Sequence, residues 1–290
     1  MSDEVGCRVC GHPTVPIGSK PGVLTTALFF LRRCAHCGFA FVANPCENYA
    51  AIYDERYYRG EGADPLVHYL FELEHPESTV RQLEWQGILE VVRSLRPLDR
   101  RSRWLDYGCG NGGLVRHLLQ TQTCEAAGFE VGWISDRARA AGIPVLTEAE
   151  LRAVGCFDVV TAIEVIEHVT DPMSMLRSIR RLMKPGGLLF LTTGNAAAHP
   201  DLEKWDYVRP DIHVSFFEPR TLDLALQLAG FRPARRGLVP GFEKIIRFKV
   251  LKQLRIRRHW PVLDLLPWSV FARMVDARLS VSAHPVGWAV

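Results

Sequence analysis

Cys7-x-x-Cys10 and Cys34-x-x-Cys37 are two thiol pairs at metal-ligand spacing, each followed by a glycine, Gly11 and Gly38. Two thiolates three residues apart grip one side of a metal ion. The glycine permits the tight turn that aims backbone N–H groups at the sulfurs. Four sulfurs suit tetrahedral Zn²⁺ at about 2.3 Å, and a filled coordination sphere leaves no position for a reacting water. The expected role is therefore structural, with a redox pair or unligated thiols as the alternatives. His12 and His36 flank the pairs but are not needed as ligands. Cys46, Cys109, Cys124 and Cys156 have no partner spacing and read as buried or incidental thiols.

A second chemical group lies in WLDYGCGNGG, residues 104–113. Gly108, Gly110 and Gly113 satisfy G-x-G-x-x-G, which lets backbone approach a nucleotide at a helix N-terminus. Glu130 closes the next strand-like run, where a carboxylate accepts hydrogen bonds from ribose hydroxyls. Both features serve a nicotinamide dinucleotide as well as S-adenosylmethionine. Asp106 separates the two: a carboxylate there repels a pyrophosphate but stabilises a sulfonium and an ammonium.

These groups need strands and helices to position them. Val80, Leu83, Ile88, Val91, Val92 and Leu95 recur at helical spacing, and Pro97 ends that helix. From Arg103 the pattern alternates. The strand RWLDY leads to the glycine turn and to a helix bearing Leu114, Val115, Leu118 and Leu119. EAAGFE is the next strand, then a helical stretch, then the strand FDVVTAI. Asp171-Pro172 caps the helix MSMLRSIRRLMK, which is expected to stop at Pro185-Gly186-Gly187. GLLFLTT reads as a strand, residues 218–229 as a helix closed by Gly230, and FRPARRGLV as a late strand. The alternation predicts an α/β fold with a doubly wound, Rossmann-like parallel sheet. Residues 1–45 are assigned to a small zinc-ribbon-like module and 46–98 to a linker and cap helices. Residues 99–243 form the cofactor-binding domain, and 244–290 a basic amphipathic helical tail.

In these segments the chain resembles class I S-adenosylmethionine-dependent methyltransferases. Their first motif, hydrophobic-Asp-x-Gly-x-Gly-x-Gly, is matched by Leu105, Asp106, Gly108, Gly110 and Gly112. FDVVTAIEVIEHVTDP is similar to the fourth-strand motif with its Glu-His ending, and LMKPGGLLFLTT to the turn into the fifth strand. DIHVSFFEPRTLDLALQLAGF resembles the His-x-x-Phe-Phe segment of one large subgroup. Together these cover roughly residues 100 to 235, in the family's order. A subgroup with N-terminal zinc knuckles and a Tyr-Asp-x-x-Tyr-Tyr segment, similar to YDERYYRG at 53–60, acts in sugar, surface-polysaccharide and natural-product pathways. Longer sugar C-methyltransferases with a related zinc region carry a further C-terminal domain with no counterpart here, which speaks against C-methylation. Oxygen of a sugar or secondary metabolite is the expected acceptor, with nitrogen or carbon as the alternatives.

The resemblance implies that Asp106, Gly108 and Gly110 contact the methionine part of the cofactor and that Glu130 holds its ribose. Val131 and Trp133 would lie against the adenine, although Trp133 is equally at home as core. Glu164 would line the cofactor or acceptor cleft, and Tyr107 would do the same unless it is a buried structural tyrosine. Methyl transfer from a sulfonium is an in-line displacement that asks the protein to position the acceptor, exclude water and, for a hydroxyl, remove a proton. Histidine suits the last task. His213 in DIHVSFF is the first choice and His168 in EVIEHV the second, with a loop-orienting role as the alternative for His168. Asp211 either orients the His213 imidazole or caps a turn.

The net charge of +3 is too small to argue for nucleic acid, but it is unevenly spread. From Lys244 onward nine Lys/Arg face Asp264 and Asp276, a net of +7 that leaves −4 for the rest. KIIRFKVLKQLRIRR at 244–258 reads as a cap packed on the domain or on a partner in a homodimer, ahead of a peripheral contact with an anionic membrane. No nucleic-acid partner is expected, because the knuckles lack a surrounding basic cluster. The expected partner is a small-molecule acceptor. MSDEVGCRVCG is unlike a signal peptide and no apolar run approaches a membrane span, so a cytoplasmic protein with free or metal-bound thiols is expected. A nicotinamide-dependent oxidoreductase remains the alternative reading.

Overall fold

The computed structural model describes residues 5–64, 66, 68–234, 240–270 and 286–289. Strands β1 (Thr14–Pro21), β2 (Leu28–Cys34) and β3 (Ala40–Val42) come first, then helices α1 (Tyr49–Ile52), α2 (Glu55–Tyr58), α3 (Tyr69–Glu74) and α4 (Arg81–Leu95). The alternating part runs β4 (Arg103–Tyr107), α5 (Gly113–Gln120), β5 (Glu125–Phe129), α6 (Ile134–Ala140), β6 (Val145–Leu146), α7 (Glu148–Ala153) and β7 (Phe157–Ile163). It continues with α8 (Pro172–Arg181), β8 (Met183–Thr192), β9 (Ser215–Phe216), α9 (Pro219–Leu228) and β10 (Phe231–Ala234). Helix α10 (Phe242–Gln253) and strand β11 (Val286–Ala289) complete the order. Two compact units share these elements. One holds Met1–Ile52, Val160–Arg235 and Val281–Val290, the other Tyr53–Val159 and Arg236–Ser280.

In the first unit, β1, β2, β3 and β9 form an antiparallel four-stranded sheet. The hairpin β1–β2 thus occupies the stretch between the two cysteine pairs. Its core is Phe29, Leu31, Ala40, Val42, Val208, Val214 and Phe216, all at most 3% exposed. The same unit carries β10, β11 and β8 in that order, beside the end of β7. There β11 is antiparallel to both neighbours, a departure from the parallel sheet expected. Within 244–290, expected as a helical tail, residues up to Gln253 belong to α10 and 286–289 are strand. Of the late strand FRPARRGLV, β10 covers the first four residues, and 235–239 lie outside the described residues.

Helix α8 begins as its cap predicts: the Asp171 side chain accepts from Ser174 N–H, and Pro172 opens the first turn. It ends at Arg181, four residues before the breaker, and Pro185 and Gly186 lie inside β8 instead. Proline disfavours helical backbone at Lys184 and has no N–H for the carbonyl of residue 181, so its effect is felt upstream.

In the second unit β4, β5 and β6 are parallel neighbours, with the start of β7 on the other side of β4. Asp106 pairs with Gly128 and Tyr107 with Phe129 across β4 and β5, which brings the ends of both strands level. Helix α4 crosses α10 closely at Gly87, where a Cβ would lie 2.6 Å from the Gly241 carbonyl oxygen. Among the described residues no helix is long and apolar enough to cross a membrane.

Candidate active site

The glycine turn follows β4 in the second unit. Asp106 is 6% exposed at the strand end. Gly108, Gly110 and Gly112 have φ of 75°, 53° and 72°, a left-handed path that side chains resist. Gly108 N–H and Cys109 N–H both donate to the Phe129 carbonyl, at 2.8 and 3.1 Å, which ties the turn to the end of β5. Glu130, the next residue, accepts from Gly110 N–H at 3.0 Å through Oε2. Its Oε1 accepts from Val131 N–H at 2.9 Å and Gly132 N–H at 2.8 Å. Burial raises the Glu130 pKa and outweighs these three N–H groups, which lower it. The turn and the carboxylate are thus one hydrogen-bonded unit.

Several members of this group carry no spacing signature in the sequence. Asn111, 4% exposed, accepts from Gly113 N–H at 3.0 Å and so shapes the turn into α5. Its Nδ2 donates to the Tyr69 carbonyl at 2.9 Å and to Glu72 Oε2 at 3.1 Å. Glu72 in turn pairs with Arg81 at 3.0 Å, and Arg81 with Glu84 at 2.8 Å. A Cβ on Gly110 would lie 3.0 Å from the Tyr69 ring, so Tyr69 packs directly on the turn. In YDERYYRG, Asp54 caps α2 by accepting from Tyr57 N–H, and Tyr57 and Tyr58 are buried. The Tyr58 ring stacks near Trp133, with centroids 6.1 Å apart, and the Arg137 guanidinium lies 5.0 Å above Trp133. Val131 is 84% exposed. Tyr107 is half-buried against Phe129 at 5.1 Å, and burial raises its hydroxyl pKa.

The residues expected to handle the acceptor lie in the first unit, after β7 and β8. Glu164 takes φ 54° directly after β7, and its Oε1 accepts from the Thr192 hydroxyl at 3.0 Å. Glu167, which sequence reasoning did not single out, is fully buried and accepts from the Tyr207 hydroxyl at 2.7 Å and the Thr193 hydroxyl at 2.9 Å. Its position one residue before His168, in an otherwise apolar run, was the available signal. His168 and His213 meet edge to face with centroids 4.7 Å apart. One ligand-capable atom of each of Glu167, His168 and His213 lies within 4.8 Å of the others. His168 Nδ1 faces the Ile212 carbonyl at 3.0 Å and His213 Nδ1 the Tyr207 carbonyl at 2.5 Å. A carbonyl only accepts, so each Nδ1 carries a proton and the basic lone pair of the neutral ring is on Nε2. Asp211 does not orient His213. It accepts from Val23 N–H at 2.5 Å and the Thr25 hydroxyl at 3.1 Å, capping the β1–β2 turn.

Burial, with the Glu164 charge adding to it, pushes the Glu167 carboxyl up to about 8 from an ordinary 4.5. The folded state then keeps a proton that the unfolded chain has lost. This contribution is full below pH 4.5 and is lost as pH rises towards 8. The loss approaches about 1.4 kcal/mol per pH unit at its steepest. Glu167→Gln is expected to flatten that slope. Denaturant melts of both proteins from pH 5 to 8 check it, and parallel pH profiles would refute the assignment.

Four cysteines of the first unit, Cys7, Cys10, Cys34 and Cys37, converge. Cys7 and Cys37 sulfurs are 3.6 Å apart, as are those of Cys10 and Cys34, and all four lie within 4.8 Å of one another. A tetrahedron with bonds of about 2.3 Å has edges of about 3.8 Å, so the spacing fits a single ion. Both knuckles have one form: Gly11 N–H donates to the Cys7 carbonyl and Gly38 N–H to the Cys34 carbonyl, each at 2.9 Å. Gly11 and Gly38 have φ of 76° and 80°.

Residues 79–235 match the family described as a methyltransferase domain, more than half of the 290-residue chain, and the chain belongs to that family. The motif resemblance to class I S-adenosylmethionine-dependent methyltransferases holds at that level. The ubiquinone biosynthesis O-methyltransferase of Bordetella avium (strain 197N) is 35% identical over 125 residues, which are 39% of this chain and 49% of that protein. Its counterpart in Paracidovorax citrulli (strain AAC00-1) is 34% identical over 147 residues, 46% of this chain and 60% of that one. The chain spans about half the length of the curated relatives it matches. A S-adenosylmethionine-dependent methyltransferase of Mesorhizobium loti aligns with a TM-score of 0.47 and 16% identity, covering 71% of this chain and 98% of that one.

Proposed function

We propose that the protein transfers the methyl group of S-adenosylmethionine to a hydroxyl oxygen of a small molecule. The observation that carries this reading is the glycine turn closed by Glu130, with Asp106 buried at the end of the preceding strand. That donor set fits the cofactor: a carboxylate for the cationic methionine part, and a second carboxylate level with the turn for the ribose. When bound, the cofactor supplies a methyl carbon already activated by its sulfonium leaving group. His213 is the base that takes the acceptor proton at Nε2, with His168 beside it as the second choice. The relatives' names speak for oxygen as the accepting atom. A sugar or secondary metabolite is the finer proposal, supported by the cysteine knuckles and YDERYYRG, which lie outside the family match.

In the same reading Cys7, Cys10, Cys34 and Cys37 hold a structural Zn²⁺, supported by the sulfur spacing. Its thiolates suit the reducing cytoplasm. With S-adenosylmethionine and a panel of sugars and phenols, an O-methyl ether and S-adenosylhomocysteine should appear in equal amounts by mass spectrometry. Methylation of nitrogen or carbon alone would overturn the hydroxyl assignment.

A further inference from the structure

Within the second unit, helix α10 and the described residues up to Trp268 are held by packing and hydrogen bonds. Helix α10 buries Ile245, Ile246, Phe248 and Leu251. Trp268, 6% exposed, joins Val80, Leu83, Phe248 and Leu251 in one cluster. Val80 N–H donates to the Arg257 carbonyl at 3.0 Å and His259 N–H to the Ser78 carbonyl at 2.7 Å. Asp264 is bound by Arg247 and, at 3.1 Å, by His259. Helix α10 is thus packed against α4, and the segment after it leaves an exposed surface.

Between these anchors the 3₁₀ turn Pro261–Leu265 buries no residue. Trp260 is 62% exposed, Val262 61%, Leu265 83% and Leu254 65%. Residues three apart in a 3₁₀ turn eclipse, so Val262 and Leu265 share one side. Four large apolar side chains exposed within one short anchored segment mark an interaction surface.

The charges beside it say which kind. Of the seven cations in 244–258, Lys244 pairs with Glu90, Arg247 with Asp264, Lys249 with Glu84 at 3.6 Å and Lys252 with Asp64 at 3.8 Å. Arg255, Arg257 and Arg258 are exposed and form no ion pair among the described residues, although the Arg258 guanidinium lies 5.5 Å over the Phe71 ring. A soluble anion would use the three arginines but leave Trp260 and Leu265 in water. A second copy would bring like charge against like. An anionic bilayer uses both, with guanidinium groups on lipid phosphates and the indole at headgroup depth. We propose that residues 254–266 dock the protein on an anionic lipid surface. This goes beyond the methyl-transfer reading and does not depend on it.

The full chain should pellet with vesicles of phosphatidylcholine and phosphatidylglycerol in equal parts, not with phosphatidylcholine alone, and less so as salt rises. Replacing Arg255, Arg257 and Arg258 together by Gln should weaken binding about 100-fold, and Trp260→Ser with Leu265→Ser should weaken it at unchanged charge. Circular dichroism checks that both variants fold, and the wild-type result stands without them. Failure of the wild type to pellet at low salt would overturn the proposal. So would equal binding by the arginine variant, or self-association abolished by Trp260→Ser without any vesicle binding.

Discussion

Cys34→Ser, or a strong chelator that strips the proposed Zn²⁺, is expected to unfold the antiparallel sheet of the first unit rather than loosen one loop. Cys34 ends β2 and is fully buried, and Cys7 and Cys37 are 5% and 4% exposed. Phe39 and Phe41, just beyond the second knuckle, are fully buried, and the Thr221 hydroxyl donates to the Cys37 carbonyl. If these sulfurs hold the proposed Zn²⁺, its removal takes away the one group that ties both knuckles together. Structural Zn²⁺ binds small cysteine sites with about 10–16 kcal/mol, comparable to the roughly 5–15 kcal/mol net stability of a domain. Elemental analysis should find one zinc per chain in the wild type and none in Cys34→Ser. The variant's melting temperature should fall by more than about 10 °C, the shift expected for a loss of several kcal/mol. A wild type that is purified without zinc and melts unchanged with chelator would remove the metal from the account.

His213→Ala is expected to lower turnover by about 10²–10⁴-fold, the usual worth of a positioned general base. Affinity for S-adenosylmethionine should stay within about twofold, because the turn is shaped by its own hydrogen bonds to Glu130 and Asn111. His213 is only 7% exposed, so truncation also costs packing. His213→Asn separates the two effects: its amide N–H can still reach for the Tyr207 carbonyl, but it offers no basic nitrogen. It should be as inactive as the alanine variant while melting closer to the wild type. The same substitutions at His168 should cost less. Unchanged turnover in His213→Ala would end the base assignment.

What the sequence disclosed was set by local signals. Glycines that must take left-handed backbone, the Asp171-Pro172 cap and the alternating apolar runs act within a few residues, so β4, β5, β7, α9 and the start of α8 lie where those runs place them. Glu130 was legible because it follows β5 directly. Asn111 had a local cue, an Asn two residues before a glycine at a helix start, but its bonds to Tyr69 and Glu72 cross about forty positions without any periodicity. Tyr207 likewise reaches Glu167 over forty residues, and only folding brings them together. The Asp211 alternatives resolved towards the turn because its partners, Val23 and Thr25, lie at the other end of the chain. The reach of Pro185 was misjudged by reading a breaker at its own position rather than at the residues it denies to the helix.

The central claim is that the turn after β4 holds S-adenosylmethionine, and calorimetric titration of the wild type and Asp106→Asn with S-adenosylmethionine and with NAD⁺ tests it most directly. The wild type should bind S-adenosylmethionine and give no heat of binding with NAD⁺. Asp106→Asn should lose at least about tenfold in affinity for the cationic cofactor, the loss of roughly 1.4 kcal/mol or more of charge stabilisation. Binding of NAD⁺ as tight as that of S-adenosylmethionine, or an Asp106→Asn variant with undiminished affinity, would contradict the account.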